Sequence, residues 1–231
     1  VPVLVSQTGF SGEAGFEIYV REATQNAEAV WEPVLETVKD HGGAAAPVNG
    51  RRRIAAGILS WGQDMDHETS PFQVNLGYQV PDDKDAEYVG KAELERQKDA
   101  IEDGEFPFTH TLVGLKMAGE PIIDWASDFW IVSDPETGEE CGYLTSAGWN
   151  PDLEANVALG YVPAEKLQAA TDVPPDDSVY DADIDLAFAV HLPDEYAEPP
   201  GERAYPTAAD VPITAPANPR AREHAPNHAG H

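Results

Sequence analysis

The sequence is poor in basic residues and rich in acidic ones. Among its 231 residues, 14 are Lys or Arg and 42 are Asp or Glu, so the formal net charge is −28. Because phosphate groups are bound by cations, we expect neither nucleic acid nor an anionic membrane surface as a partner. The acidic residues are spread along the whole chain, which favours a salt-adapted protein of haloarchaeal-like composition. An ordinary acidic protein that its net charge keeps in solution is the alternative.

Cysteines and membrane spans are also scarce or missing. Cys141 is the one cysteine, so an internal disulfide framework is excluded and a reducing cytoplasm is expected. We interpret it as a small buried hydrophobe and not as a nucleophile. No apolar run approaches the roughly 20 residues of a membrane-spanning helix. The chain opens on VPVLVSQTGF, with neither a secretory signal nor an initiator Met, as we expect of a cut chain or an excised domain.

Several motifs of nucleotide, metal and nucleophile chemistry are missing. The sequence contains no GxGxxG or Walker loop, no HExxH, no CxxC and no GxSxG. We therefore expect no flavin or NAD site in this chain. His224, His228 and His231 lie near the C-terminal end without paired spacing, so we predict no metal site there.

A cluster of cations interrupts the acidic background within Asn49–Pro71, NGRRRIAAGILSWGQDMDHETSP. Arg51–Arg53 either pair with some of the many carboxylates or bind an anionic or electron-rich partner, and charge alone favours neither. Asn49 is suited to cap a helix and Gly62 to end it. Trp61 then stands at the helix end, as a wall for a flat polar heterocycle or as a structural Trp under a loop. The apolar face of the predicted helix carries Ile54, Ile58 and Leu59.

Three ordered stretches of the chain resemble one protein family. They are SQTGFSGEAGFEIYV, GRRRIAAGILSWGQDMDHETSPFQVNLGYQV and GYLTSAGWNPDLEANVALGYVP. Over residues 3–165 they are similar, in order and spacing, to the folate-dependent aminomethyltransferase superfamily. This superfamily includes the glycine cleavage T-protein, the folate domains of dimethylglycine and sarcosine dehydrogenases, and tetrahydrofolate-dependent demethylases. The resemblance implies tetrahydrofolate as the cofactor.

The resemblance also implies an α+β fold with a defined order of domains. Residues 1–105 would form the C-terminal part of the folate-binding domain, without its N-terminal part. Residues 106–192 would form a small β-barrel domain, whose short predicted strands fit a barrel. In residues 193–231, eight of 39 residues are proline, and this composition predicts a disordered tail.

Six candidate folate contacts follow from the resemblance. In the family, the carboxylate at the position of Glu17 binds the pterin ring. A carboxylate suits this role because it accepts two parallel hydrogen bonds from an aminopyrimidine edge. Phe10 stands where relatives often carry Tyr, so ring stacking would survive without the hydroxyl. Arg53 matches a family arginine, whereas Asn49 stands where T-protein relatives carry Arg. The remaining two candidates are the aromatic residues Trp61 and Tyr78.

Periodicity predicts the secondary structure around these residues. Strands are predicted at Val1–Val5 and Phe16–Val20. The helix that follows is capped by Thr24, is ended by His41–Gly43, and buries Trp31 in the core. Further predicted elements are a strand from Leu76 to Val80, a helix at Tyr88–Lys98, barrel strands at Thr111–Met117, Phe129–Ser133 and Cys141–Thr145, and a loop at Thr145–Pro151 that the resemblance directs toward the folate.

The family transfers a one-carbon unit to tetrahydrofolate, and the resemblance implies this activity here. In the T-protein the donor is an aminomethyl group on a lipoyl arm; in relatives it is a methylated amine, a sulfonium compound or an aryl ether. The RRIAAGIL run is closer to the RRIEAGIL-type sequences of demethylase-like and dehydrogenase-linked relatives. A non-catalytic folate-binding module is the alternative, although ILSWGQDMD lacks the Cys of the KGCYxGQE-type motif in the family's iron–sulfur assembly members.

No catalytic residue is predicted in this chain. Positioning of both reactants does much of the work in such a transfer. The family also uses a carboxylate from its N-terminal domain, close to the folate nitrogen that acts as nucleophile. That segment precedes the matched region, so a chain that supplies the N-terminal domain is a candidate partner, and the sequence does not tell whether such a separate chain exists. We also expect negligible turnover by residues 1–231 alone.

Overall fold

The computed structural model describes residues 1–46, 50–81, 84–123, 129–170, 184–191 and 212–213. Its strands are β1 (Val3–Ser6), β2 (Glu17–Val20), β3 (His110–Met117), β4 (Trp130–Ser133), β5 (Glu140–Asn150), β6 (Ala155–Pro163), β7 (Ile184–Asp185), β8 (Ala189–Val190) and β9 (Pro212–Ile213). Its α-helices are α1 (Ala23–Asp40), α2 (Gly50–Ala55), α3 (Lys91–Glu102) and α4 (Ala164–Ala170). Helices dominate the first half and strands the second, and the predicted α+β class is confirmed.

The first 46 residues form a strand pair and one long helix with little burial. β1 and β2 are antiparallel, with Val3 opposite Val20. No residue of α1 is buried, and the Trp31 side chain is 55% exposed. The prediction that Trp31 lies in the core is therefore wrong. Helical spacing marked which face of α1 is apolar, but it does not tell whether another element covers a given residue on that face.

α1 ends where the glycines of the sequence predicted. Gly42 has a left-handed backbone with φ 78°. Its N–H donates to the carbonyl of Lys39, and the Gly43 N–H donates to the carbonyl of Val38. This pair of bonds satisfies carbonyls that the helix leaves open at its end. The predicted cap at Thr24 is wrong, because Glu22 precedes the helix and Thr24 lies in its first turn.

α2 ends with the same bonding pattern, but earlier than predicted. Gly57 has φ 68°, its N–H donates to the carbonyl of Ile54, and the Ile58 N–H donates to the carbonyl of Arg53. The helix therefore ends at Ala55, and the prediction that it extends to Gly62 is wrong. The sequence offered two glycines, and the first already supplies the positive φ that ends the helix.

Residues 72–79 form two short 3₁₀ helices, so the strand predicted from Leu76 to Val80 is wrong. Asn75 lies between them with φ 59°, and its side chain donates to the carbonyl of Leu112 at 2.7 Å. A left-handed residue interrupts the extended backbone that the alternating pattern predicted. The helix predicted next is confirmed as α3, with later bounds.

The second half of the chain is built on a curled antiparallel sheet. Its strand order is β3–β6–β5–β4–β8. The inner face packs around apolar residues such as Val132, Val162 and Phe188, each at most 2% exposed. The predicted loop at Thr145–Pro151 is wrong, because Thr145–Asn150 continues β5 along β6. Its glycine and hydroxyl residues are typical of turns, but here they pair with a neighbouring strand.

The outer face of the sheet is covered as well. Ile54 of α2 and Val74 pack against Leu112, Leu159 and Tyr161 on the sheet. Every residue of β6 is buried, because this strand is packed on both faces. The short helix α2 and the segment after it are therefore fixed against the barrel sheet.

Much of the predicted disordered tail lies outside the described residues. Within it, β9 pairs antiparallel with β7, with Ile184 opposite Ile213. The domain limits at residues 1–105, 106–192 and 193–231 stay predictions, and so does the disorder of the tail. None of the described helices is long and apolar enough to cross a membrane.

Candidate functional site

The three consecutive arginines of α2 have three different partners. Arg51 donates to a backbone carbonyl in the segment that follows β3. Arg52 forms an exposed ion pair with Glu13 at 3.1 Å. Arg53 forms a buried ion pair with Asp64 at 2.6 Å. Two of the three arginines thus pair with carboxylates, which supports the explanation of the cluster by contacts within the protein.

The guanidinium of Arg53 is surrounded by acceptors. Beyond the pair with Asp64, Nη1 donates to the carbonyl of Ile58 at 3.0 Å. Nη2 donates to Ser146 Oγ at 2.7 Å and to Gln63 Oε1 at 3.2 Å. The side chains of Arg53 and Asp64 are 1% and 0% exposed. A buried ion pair offsets its desolvation only when further hydrogen bonds satisfy both groups, and the guanidinium meets this condition.

The carboxylate of Asp64 joins three parts of the protein. Oδ2 accepts the N–H of Ser60 at 2.8 Å in addition to Arg53. Oδ1 accepts the hydroxyls of Thr145 and Ser146, both on β5, at 2.5 Å and 2.6 Å. Both oxygens therefore accept two hydrogen bonds each. Through them Asp64 connects its own loop, helix α2 and the barrel sheet.

Tyr161 adds a contact from β6. Its hydroxyl donates to the backbone carbonyl of Asp64 at 2.8 Å. Burial raises the pKa of Tyr161 to about 12, so the hydroxyl stays protonated and remains a donor at neutral pH. We define the Asp64 network as Arg53, Ser60, Gln63, Asp64, Thr145, Ser146 and Tyr161.

The network lies beneath a loop, residues 58–69, that has no helix or strand of its own. Asp64 is the one buried residue in this loop. Trp61 forms an isolated bridge with Met65, and its ring lies 4.8 Å from that of His67, edge to face. Because Trp61 is 59% exposed, it does not lie buried under the loop. It is open to a ligand at the surface.

The glycine-rich loop, residues 8–15, brings a second aromatic residue to the ion pair. The ring of Phe10 lies 5.6 Å from the guanidinium carbon of Arg53, within reach of a cation–π interaction. Phe10 is also 46% exposed. Its ring therefore contacts the buried cation and still presents surface to solvent.

Glu17 begins β2, directly after this loop. Its Oε2 accepts hydrogen bonds from the hydroxyl of Thr8 and, at 2.9 Å, from that of Tyr19. These two bonds, Thr8 first, lower the pKa of Glu17 below its ordinary value of 4.5. Within the described residues no hydrogen bond reaches Oε1. The carboxylate is thus ionised at neutral pH, held at one oxygen and open at the other.

The remaining candidates do not join this group. Tyr78 is 67% exposed in the second 3₁₀ helix, where its hydroxyl accepts from the Gln79 side chain at 3.2 Å. Asn49 lies outside the described residues. The structure therefore brings Phe10 and Arg53 into contact. It places Trp61 in the loop that contains Asp64, the ion-pair partner of Arg53. Among the described residues, the hydrogen-bond partners of the Glu17 carboxylate are Thr8 and Tyr19, which are not members of this group.

Sequence reasoning missed the centre of this arrangement. Asp64 was given no role, and Thr145 and Ser146 were predicted in or next to a loop. One signal was available in the sequence. Asp64, Thr145 and Ser146 are polar residues in segments that pack against an apolar sheet, and Arg53 is one of the few cations in a strongly acidic chain. No group of three or more His, Cys, Asp or Glu that could hold a metal is found in the described part of the chain.

Comparison with known proteins defines the class of this fold and site. The profile described as the GCVT N-terminal domain matches residues 1–84. The profile described as the glycine cleavage T-protein C-terminal barrel domain matches residues 110–184. The protein is thus of the type in which a GCVT N-terminal domain precedes a barrel domain. It belongs to the glycine cleavage T-protein family.

Known relatives agree with this assignment and extend well beyond the chain. It is 33% identical to an aminomethyltransferase of Geobacillus sp. (strain WCH70) over 175 residues, which is 75% of this chain and 44% of the relative. It is 34% identical to an aminomethyltransferase of Thermotoga maritima over 164 residues, which is 70% of this chain and 41% of the relative. The chain therefore spans less than half the length of these relatives.

A solved structure supports the fold. The aminomethyltransferase T of the glycine cleavage system from Bartonella henselae matches with a TM-score of 0.57 and 23% sequence identity. The match covers 81% of this chain and 45% of the Bartonella chain. It supports the arrangement of helices and strands described above.

Proposed function

We propose that the protein is part of a tetrahydrofolate-dependent one-carbon transferase of the glycine cleavage T-protein type. The observation that carries this proposal is Glu17, a surface carboxylate whose pKa is lowered and whose Oε2 is held by two hydroxyls. Such a group accepts hydrogen bonds from the N–H donors of a pterin edge. The Geobacillus and Thermotoga relatives are aminomethyltransferases, which supports the proposal.

The aromatic candidates suit a folate. Phe10 and Trp61 are both exposed enough to contact a flat ring, and aromatic stacking adds to the burial of apolar surface. Arg53 takes an indirect part in this proposal, because Asp64 occupies its guanidinium and Phe10 lies over it. Asn49 and Tyr78 stay as proposed folate contacts.

Tetrahydrofolate, when bound, supplies the nitrogen that accepts the one-carbon unit. The residues of this chain bind and orient the pterin, and Glu17 holds its polar edge. No catalytic group is proposed in this chain. The donor is an aminomethyl group on a lipoyl arm or, as the RRIAAGIL run favours, a methylated small molecule. We also propose a cytoplasmic location.

Further polypeptide of the same family completes the domain in this proposal. The chain spans 44% of the Geobacillus relative. In addition, many apolar side chains of the first 46 residues are exposed to solvent. These exposed residues are Val1, Val3, Leu4, Val5, Phe16, Ile18, Tyr19, Trp31 and Val34. Uncovered apolar surface of this extent is typical of an interface with other polypeptide.

The decisive experiment is a calorimetric titration of 5-formyltetrahydrofolate into the protein in molar potassium chloride. We expect saturable binding that Glu17→Ala abolishes. Glu13→Ala is the matched control, since it removes an exposed carboxylate of the adjacent loop and should leave the affinity unchanged. Equal affinity in Glu17→Ala would refute the role of Glu17, and no binding by the wild-type protein would contradict the folate site in this chain.

The second candidate function is a non-catalytic folate-binding module. It is favoured by the lack of an assigned catalytic residue among the described residues. It predicts the same titration result but no one-carbon transfer when the remainder of a family enzyme is supplied. Transfer to tetrahydrofolate in such a reconstituted mixture would exclude it.

A further inference from the structure

We propose that Asp64 is a positioning residue for ligand binding: through the Asp64 network it sets the conformation of the loop that presents Trp61. The expected effect on ligand binding rests on the proposed folate function. The effect of Asp64 on the loop conformation is testable without any ligand.

Side-chain contacts, more than its own backbone bonds, set the conformation of this loop. Residues 58–69 contain no helix or strand, and their backbone bonds are short-range, such as those from the N–H groups of Gln63 and Asp64 to the carbonyl of Ser60. Such turns leave a surface loop able to exchange between conformations. Several groups tie this loop to distant parts of the chain, among them the buried carboxylate of Asp64, which accepts the two hydroxyls of β5, the Gln63 side chain, which donates to the carbonyl of Thr145 at 2.9 Å, and the Asp64 carbonyl, which accepts the Tyr161 hydroxyl. Of these, the carboxylate also forms the ion pair with the buried Arg53.

The carboxylate is specifically required by the set of donors around it. Four hydrogen bonds converge on its two oxygens, two on each. An amide in its place has one oxygen and one NH₂ group. The NH₂ group would either face Arg53 and the Ser60 N–H, which only donate, or require both hydroxyls of β5 to turn their O–H bonds away and accept. Asn at this position therefore keeps the volume and loses half of the acceptors and the charge.

Loss of the Asp64 carboxylate affects Trp61 because the residues on both sides of Trp61 form hydrogen bonds at or next to Asp64. Ser60 precedes Trp61 and donates its N–H to Asp64. Gly62 follows Trp61 and donates to the carbonyl of Met65, which lies next to Asp64. Release of the Asp64 side chain therefore frees the N–H of Ser60, directly before Trp61, and removes a side-chain anchor from the turn that Gly62 and Met65 close. The same release leaves Arg53 without its carboxylate partner beneath the Phe10 ring.

The experiment uses fluorine NMR of the full chain labelled with 5-fluorotryptophan. Five tryptophans give the resonances, and Trp61→Phe identifies that of Trp61. We expect Asp64→Asn to broaden or shift the Trp61 resonance, while the resonance of Trp130, buried at 3% exposure in the barrel core, remains. The control is Val162→Ala, a fully buried core position, which should weaken folding without moving the Trp61 resonance.

A second variant keeps the test valid if Asp64→Asn fails to fold. Thr145→Val with Ser146→Ala removes two donors to Asp64 and leaves its ion pair with Arg53, so the Trp61 resonance should still shift in a folded protein. An unchanged Trp61 resonance in both variants would overturn the proposal. If the wild-type protein binds folate, Asp64→Asn should weaken binding about tenfold or more, since a disordered loop must be ordered on binding; unchanged affinity would also refute it.

Discussion

Gly12 lies directly against Ala56, so that a Cβ added to Gly12 would overlap the Ala56 side chain. The backbone of Gly12 is also left-handed, with φ 79°, a conformation that other residues adopt only with strain. Through this contact the glycine-rich loop packs against the residue that follows α2. The contact explains why a small residue occurs at both positions. It also links the glycine-rich loop, which contains Phe10, to the helix that carries the three arginines.

Substitution Gly12→Ala is therefore expected to lower the free energy of unfolding by about 1–3 kcal/mol, through overlap and backbone strain together. Chemical denaturation of both proteins measures the change. The matched control is Gly9→Ala in the same loop, because a Cβ at Gly9 meets no atom within 4 Å. Equal effects of the two substitutions would show that the close contact with Ala56 does not stabilise the loop.

The buried and the exposed ion pair of α2 should contribute very differently to the free energy of unfolding. Arg53→Met leaves Asp64 buried without its cation, and we expect a loss of about 3–5 kcal/mol in the free energy of unfolding. Arg52→Met, one residue away, breaks a pair whose side chains are 51% and 64% exposed. Its expected effect is about 0–1 kcal/mol. Urea denaturation of both variants tests this, and a similar loss in the two would contradict the burial argument.

The sequence predicted those features that depend on a local signal. The glycines after α1 predicted its end, because a left-handed residue is needed there and Gly supplies it. The strands β1 to β4 were found within a few residues from alternation and turn residues. The family and its two domains were recognisable from three ordered stretches. Each of these signals is contained within a short segment of chain.

Two failures, at α2 and at residues 72–79, have a local cause, the positive φ of Gly57 and of Asn75. The failures at Trp31, at residues 145–150 and at Asp64 depend on contact between distant segments. Trp31 fits an apolar helix face, but no periodic pattern states whether another element covers it. Thr145 to Asn150 is rich in turn-forming residues, yet pairing with β6 keeps it extended. The partner of Arg53 lies 11 residues away and its other contact, Ser146, lies 93 residues away. Only the folded chain brings these groups together.

Asp134 should make stability depend on pH in the acid range. The Lys166 ammonium, together with the N–H groups of Thr137 and Glu136, lowers the pKa of Asp134 from 3.8 to about 2. A carboxylate with a lowered pKa stabilises the fold above its unfolded pKa, and this contribution is lost as the pH falls. The difference in stability between wild type and Asp134→Asn should thus be constant above pH 3.8 and should shrink toward about pH 2.

Chemical denaturation at a series of pH values measures this difference. Glu139→Gln is the control, because it removes an exposed carboxylate from the same turn. A difference for Asp134→Asn that stays constant down to pH 2 would mean that the bond to Lys166 does not form in solution. The Lys166 pKa is raised by the same bond, so the cation remains charged over this whole range.

Salt should be needed for folding, and the first 46 residues should be the first to respond. A net charge of −28 repels itself in the compact state, and dissolved ions screen this repulsion within about 10 Å at 0.1 M and less at higher concentration. α1 has no buried residue to oppose the repulsion, whereas the barrel sheet has a buried core. We expect the helical circular dichroism signal to fall when potassium chloride drops well below molar concentration, and limited proteolysis to cut within α1 before it cuts the barrel.

Sucrose in place of the salt is the control, since it favours compact states without screening charge. A full helical signal in dilute buffer, or equal protection by sucrose, would show that the acidic composition does not make the fold depend on ions.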